Sequence, residues 1–170
     1  SAFSHVPDPA FPEVKARGAE DADLLFSTVL PQVERRYRTN GTRAMLGIDL
    51  AGPWSFHVVW NDTEKRFTRA ASQSGRFGWG SAMGSMLETS PYMTLLKRDA
   101  SPPIAKLAVD WSDGDQYQTQ VHDALKAAWN KPGYAGKVLF TKQDPLPAAF
   151  WDGLRARAES SMAFLLSDLK

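Results

Sequence analysis

Apolar residues recur along this chain in two rhythms, and the rhythms divide it into elements. From Glu20 to Tyr37 the positions Leu24/Leu25, Thr28/Val29, Val33 and Tyr37 return at helical spacing, with Asp21 and Asp23 favouring the first turn. Pro31 falls inside this stretch and predicts a kink or a fresh helical start, and Asn40-Gly41 ends it. The next stretch, RAMLGIDLAGPWSFHVVWNDTEKRFTRA from Arg43 to Ala70, reads with a period of two. Leu46, Ile48 and Leu50 oppose Met45, Gly47 and Asp49; then Trp54, Phe56, Val58 and Trp60 oppose Ser55, His57, Val59 and Asn61. With a tight turn at Ala51-Gly52-Pro53, a polar turn at Asn61-Asp62 and a third strand over Lys65 to Ala70, the pattern predicts an antiparallel meander. Its Trp54/Phe56/Val58/Trp60 face is expected to be buried.

The flanking stretches are read in the same way. Three prolines in Ser1 to Pro12 oppose regular structure, so residues 1–19 are expected to form an extended arm and residues 20–170 a single domain. Between Ser72 and Gly84 four glycines alternate with Phe77, Trp79 and Met83, which suggests a flap whose aromatic residues pack when it closes. The loop lacks the Lys-Ser/Thr ending of a phosphate loop. Met83, Met86 and Leu87 predict a short helix, and Pro91 starts another through Leu96. A strand over Ile104 to Trp111 follows, then a capping box from Asp113 to Gln116. It opens a helix carried by Tyr117, Val121, Ala124/Leu125 and Ala128/Trp129 and stopped by Lys131-Pro-Gly133. A strand over Gly136 to Lys142 leads to a last helix from about Leu146 to Leu169, its inner face lined by Phe150/Trp151, Leu154, Ala158, Met162 and Leu165/Leu166. The expected fold is α+β, with a mainly antiparallel five-stranded sheet covered by helices.

Composition narrows the function more by exclusion than by indication. A chain of 170 residues, 43% hydrophobic and 23% charged, suits one core, and no apolar run approaches the length of a membrane span. The formal net charge is +1, with basic residues scattered except at Arg35, Arg36 and Arg38, so no nucleic-acid partner is expected. The absence of cysteine removes disulfides, thiolate metal sites and cysteine nucleophiles. A soluble, cytoplasmic protein is expected, although a start at Ser1 leaves room for a removed targeting segment. Of the three histidines, a hairpin would bring His57 near Asp49, and His122 with Asp123 is expected on an exposed helix flank. Asp110, Asp113 and Asp115 lack the twelve-residue calcium pattern and read better as helix capping. Aromatic content is the positive signal: 6 Trp, 9 Phe and 4 Tyr, with 5 Met, suit either a dense core or an apolar pocket.

Two family resemblances follow. The element order of three strands, helix, strand, helix, strand and helix is similar to the ribonuclease H-like fold, which implies that Asp49 and Asp110 hold two metal ions for phosphodiester cleavage. Over more of the chain, GIDLAGPWSFHVVWND, AKLAVDWSDGD and YAGKVLFTKQDPLPAAF resemble the sterol carrier protein (type 2) family. In that family a Gly-Lys-apolar strand leads into a helix covering a lipid tunnel; Gly136-Lys137-Val138 and the helix from Leu146 correspond best, and residues 72–103 have no counterpart. The leading expectation is therefore non-catalytic binding or transfer of an apolar or amphipathic, lipid-like small molecule, without metal or cofactor. Trp54, Phe56, Trp60, Phe77, Trp79, Met83, Met86, Phe150, Trp151 and Met162 would line its site, and His57 or Arg69 would orient a polar end. The alternatives are the metal-dependent nuclease and a protein-interaction or inhibitor module presenting a flat apolar patch.

Overall fold

The structure is a computed structural model describing residues 20–49, 51–62, 64–75, 105–112, 116–143 and 150–169. The expected arm over 1–19, the short helices expected before residue 104, the flap beyond residue 75 and the Asp113 cap lie outside the described residues, while Ser72 and Gln73, expected to open the flap, end a strand. Among these residues the elements run α1 (20–36), β1 (Ala44–Ile48), α2 (Ala51–Asn61), β2 (Arg69–Gln73), β3 (Lys106–Ser112), α3 (Gln116–Trp129), β4 (Val138–Gln143) and α4 (Phe150–Leu166). A 3₁₀ turn at Pro132–Tyr134 joins α3 to β4.

Helices and strands are mixed as expected, but the sheet is not the antiparallel five-stranded one. It has four described strands in the order β1-β2-β3-β4, and every pairing is parallel, with Ala44 opposite Arg69, Gln73 opposite Asp110 and Leu107 opposite Val138. The correction turns on the segment Ala51–Asn61, which is a helix and not the second strand of a meander. Its run WSFHVVW is apolar at nearly every position, so alternation and helical spacing are both satisfied and periodicity cannot separate them. What decides is tertiary: neighbouring parallel strands need a crossover connection, and α2 supplies it between β1 and β2 as α3 does between β3 and β4. Pro53 is tolerated because it falls in the first turn of α2, where backbone N–H groups have no helical partner. Val59, assigned by alternation to the outer face, is 1% exposed.

The glycines at this crossover have a steric reason. A Cβ on Gly47 would collide with the Ala51 carbonyl oxygen, and one on Gly52 with Ser72 Oγ, so both keep the start of α2 against β1 and β2. Ser55 Oγ then lies 2.7 Å from the Gly52 carbonyl oxygen and 3.1 Å from that of Ala71, to either of which its hydroxyl can donate.

Both faces of the sheet are covered. On one, Phe56, Val59 and Trp60 of α2, Leu125 and Trp129 of α3, and Phe67 pack on Ala70, Leu107 and Val109, with Leu25, Phe26 and Leu30 of α1 at the margin. On the other, Leu165, Met162 and Phe164 of α4 pack on Ala71 and Ala108. The small side chains of Ala70, Ala71 and Ala108 let helices approach closely from both sides.

Helix α4 runs antiparallel to the strands and is tied to them at its carboxyl end and, through Arg157, at its middle. At its carboxyl end Arg69 donates to the Leu165 carbonyl and, through Nη1 and Nη2, to Asp168 at 2.7 and 3.1 Å. Lys106 donates to the Phe164 carbonyl at 3.1 Å and lies 3.3 Å from Asp168. Two cations from the sheet thus satisfy carbonyls that a helix end leaves open and complement its dipole. No helix among the described residues is long and apolar enough to cross a membrane.

Candidate functional site

Polar chemistry collects where the strands end. Asp110 lies two residues before the end of β3 and Ser74 follows β2; the Ser74 backbone N–H reaches Asp110 Oδ1 at 3.0 Å. Arg157 of α4 donates to that same carboxylate oxygen, and its Nη2 lies 2.8 Å from Ser74 Oγ. The two charged side chains are 6% and 4% exposed. Arg157 Nε and Nη1, Asp110 Oδ2 and Gln73 Oε1 are buried without a hydrogen-bond partner among the described residues. In open parallel sheets, ligands bind beyond the carboxyl ends where the strand order reverses. Here the described strands run in the order β1-β2-β3-β4 without reversal, and the Asp110 charge is met by Arg157. The arrangement does the work of a tie between α4 and the sheet.

A second place has the shape of a binding site. An open cleft of about 730 Å³ lies where the end of α3, the 3₁₀ turn and the start of β4 meet. Its apolar lining includes Trp129, Tyr134, Val138 and Phe140, and Lys126 and Lys131 stand at it, with Asp123 also present. Trp129 is the hub of the floor, stacked on Tyr134 at a centroid distance of 6.1 Å and on Trp60 at 6.1 Å, and tilted against Phe140 at 5.6 Å. The backbone beneath is held by short-range bonds: Tyr134 N–H to the Lys131 carbonyl at 2.9 Å and Lys137 N–H to that of Tyr134 at 3.0 Å. Gly136, at φ +70°, supplies the left-handed turn into β4, and Leu107 N–H bonds the Lys137 carbonyl at 2.7 Å.

Of the residues expected to line a pocket, those whose side chains are described lie on two faces of the sheet. Phe56 and Trp60 are core residues of α2 on one face of the sheet, with Trp54 on the same helix; Met162 packs on the opposite face. Phe77, Trp79, Met83 and Met86 lie outside the described residues; Phe150 and Trp151 open α4, and the placement of their side chains is likewise outside. Arg69 is spent on Asp168 and the end of α4, and His57 sits on a helix, so the hairpin that would bring it to Asp49 is not formed. His122, expected on an exposed flank, is fully buried and stacked on Trp111 at 4.8 Å. The three-strand meander behind the nuclease resemblance is absent, and β2 stands between the strands leading to Asp49 and Asp110, which puts their backbones about 10 Å apart.

The cleft was missed because its parts carry no motif. Trp129 read as helix core, Val138 and Phe140 as a strand face, and Lys131-Pro-Gly133 as a stop signal; only their assembly makes a concavity. No protein-family model and no curated protein matches the chain.

Proposed function

We propose that this protein binds an amphipathic small molecule, an apolar body with an anionic end, in the cleft between α3 and β4, without catalysis. The observation that supports this reading is the cleft itself: about 730 Å³, floored by Trp129, Val138 and Phe140, with Lys126 and Lys131 beside it. A volume of roughly 300–1,000 Å³ with a mainly apolar lining and few polar groups is what small-molecule sites have in common. The lysines supply charge at the margin, where solvent keeps each ion pair to about 0.2–1 kcal/mol, so they select the end of the ligand and the aromatic floor supplies the affinity.

Calorimetric titration with dodecanoate and with its methyl ester tests this. Saturable binding of one equivalent is expected, tighter for the carboxylate, weakened several-fold by the double variant Lys126→Glu/Lys131→Glu and lost in Ala127→Trp, which fills the cleft from its exposed margin. No saturable binding to the native chain, or binding indifferent to Ala127→Trp, overturns the reading.

A further inference from the structure

Helix α1 carries an outward row of large apolar side chains. Leu24 is 53% exposed, Val29 44%, Val33 43% and Tyr37, just past the helix, 63%, while Leu25, Phe26 and Leu30 of the same helix pack on the core. An uninterrupted α-helix would place Leu24 and Val29 about 140° apart. The π-turn over Leu25–Val29, bonded i to i+5, rotates less per residue than an α-helix and brings Leu24 back towards the row. Beside the row is a hollow of about 300 Å³ lined by Gln32, Arg35 and Arg36. Charge is divided along the helix, with Glu20, Asp21 and Asp23 at its start and Arg35, Arg36 and Arg38 at its end, where the charge of Glu34 is met by Arg43. That division also complements the helix dipole and needs no partner. The apolar row has no such explanation.

We infer that α1 is a self-association surface, on which a second copy of this chain packs its own α1 antiparallel about a two-fold axis near Leu30. A two-fold interface must be self-complementary, and antiparallel pairing of a helix acidic at one end and basic at the other satisfies this twice. Val29 meets its counterpart beside the axis, Val33 packs about one turn to either side of it, and Leu24 of each copy comes opposite the hollow at Gln32, Arg35 and Arg36. The acidic end of each helix faces the basic end of the other. The surface lies away from the cleft between α3 and β4, so this inference stands independently of the ligand reading.

Sedimentation of the full chain over a dilution series tests it. The native protein is expected to approach twice the monomer mass as concentration rises, and Val29→Glu/Val33→Glu to remain monomeric with an unchanged circular dichroism spectrum. The sharper test uses two charge variants, Glu20→Lys/Asp23→Lys and Arg35→Glu/Arg36→Glu/Arg38→Glu. Each is expected to be monomeric alone, because like charges meet at both ends, and a one-to-one mixture to dimerise, which a misfolded variant would not do. A native chain that stays monomeric throughout, a dimer that survives the valine substitutions, or a mixture that fails to associate overturns the inference.

Discussion

Removing the Arg157 guanidinium while leaving Asp110 in place strands a carboxylate in the interior, because the two side chains are almost wholly shielded and face each other. Breaking a buried pair from one side costs about 3–5 kcal/mol, whereas replacing both partners with apolar groups of similar size is often neutral or stabilising. Arg157→Met should therefore lower unfolding stability by about that amount, and Arg157→Met/Asp110→Leu should recover most of it. Equal losses in the single and double variants, measured by urea denaturation, would show that the pair does more than tie α4 to the sheet. The position of Arg157 was legible in part. It falls on the stripe of Leu154, Ser161 and Leu165 that faces the sheet, but its charge masks it in any reading that follows apolar residues alone. His122 was masked likewise, since nothing local says that Trp111 will stack upon it.

Whole elements were read correctly where spacing and stop signals agreed, as in α3 with Leu125 and Trp129 inward and Lys131-Pro-Gly133 at its end, or in α4 along Leu154, Met162 and Leu165. They were read wrongly where a short run was apolar on all sides, as in α2. The helix at Ala51–Asn61 makes a claim a hairpin turn does not: Gly52 is pressed on Ser72, whose side chain must shift to admit a Cβ there. Gly52→Ala is expected to cost about 1–3 kcal/mol, the usual range for overpacking, and a loss under about 0.5 kcal/mol would contradict this packing. The far end of α4 makes a claim about pH. Hydrogen bonds from Arg69 hold the Asp168 carboxyl well below the usual carboxylate range. A carboxyl depressed in the folded state stabilises above its unfolded pKa of about 4, and that contribution is lost as pH falls towards the folded value. Native protein and Asp168→Asn should therefore differ in stability at neutral pH and converge on acidification below about pH 4. A difference that persists unchanged in acid would detach Asp168 from the pH response.

At the scale of the molecule, α4 lies on one face of a parallel sheet, fastened at its middle and its carboxyl end by charged side chains, and α2 and α3 lie on the other. The sequence contained the aromatic supply for an apolar site, but not the place. Most of the residues that alternation had grouped became core, because helix α2, which carries them, covers one face of the sheet and turns large side chains onto it. The cleft remains at the edge, where β4 ends the described sheet and the half-buried Val138 and Phe140 lie over the buried Trp129. Amide chemical-shift mapping of the labelled protein, titrated with dodecanoate, tests the central claim most directly. Binding in the cleft predicts saturable shifts concentrated between Asp123 and Phe140; an unmoved segment at full titration, or shifts confined to other elements, would contradict it.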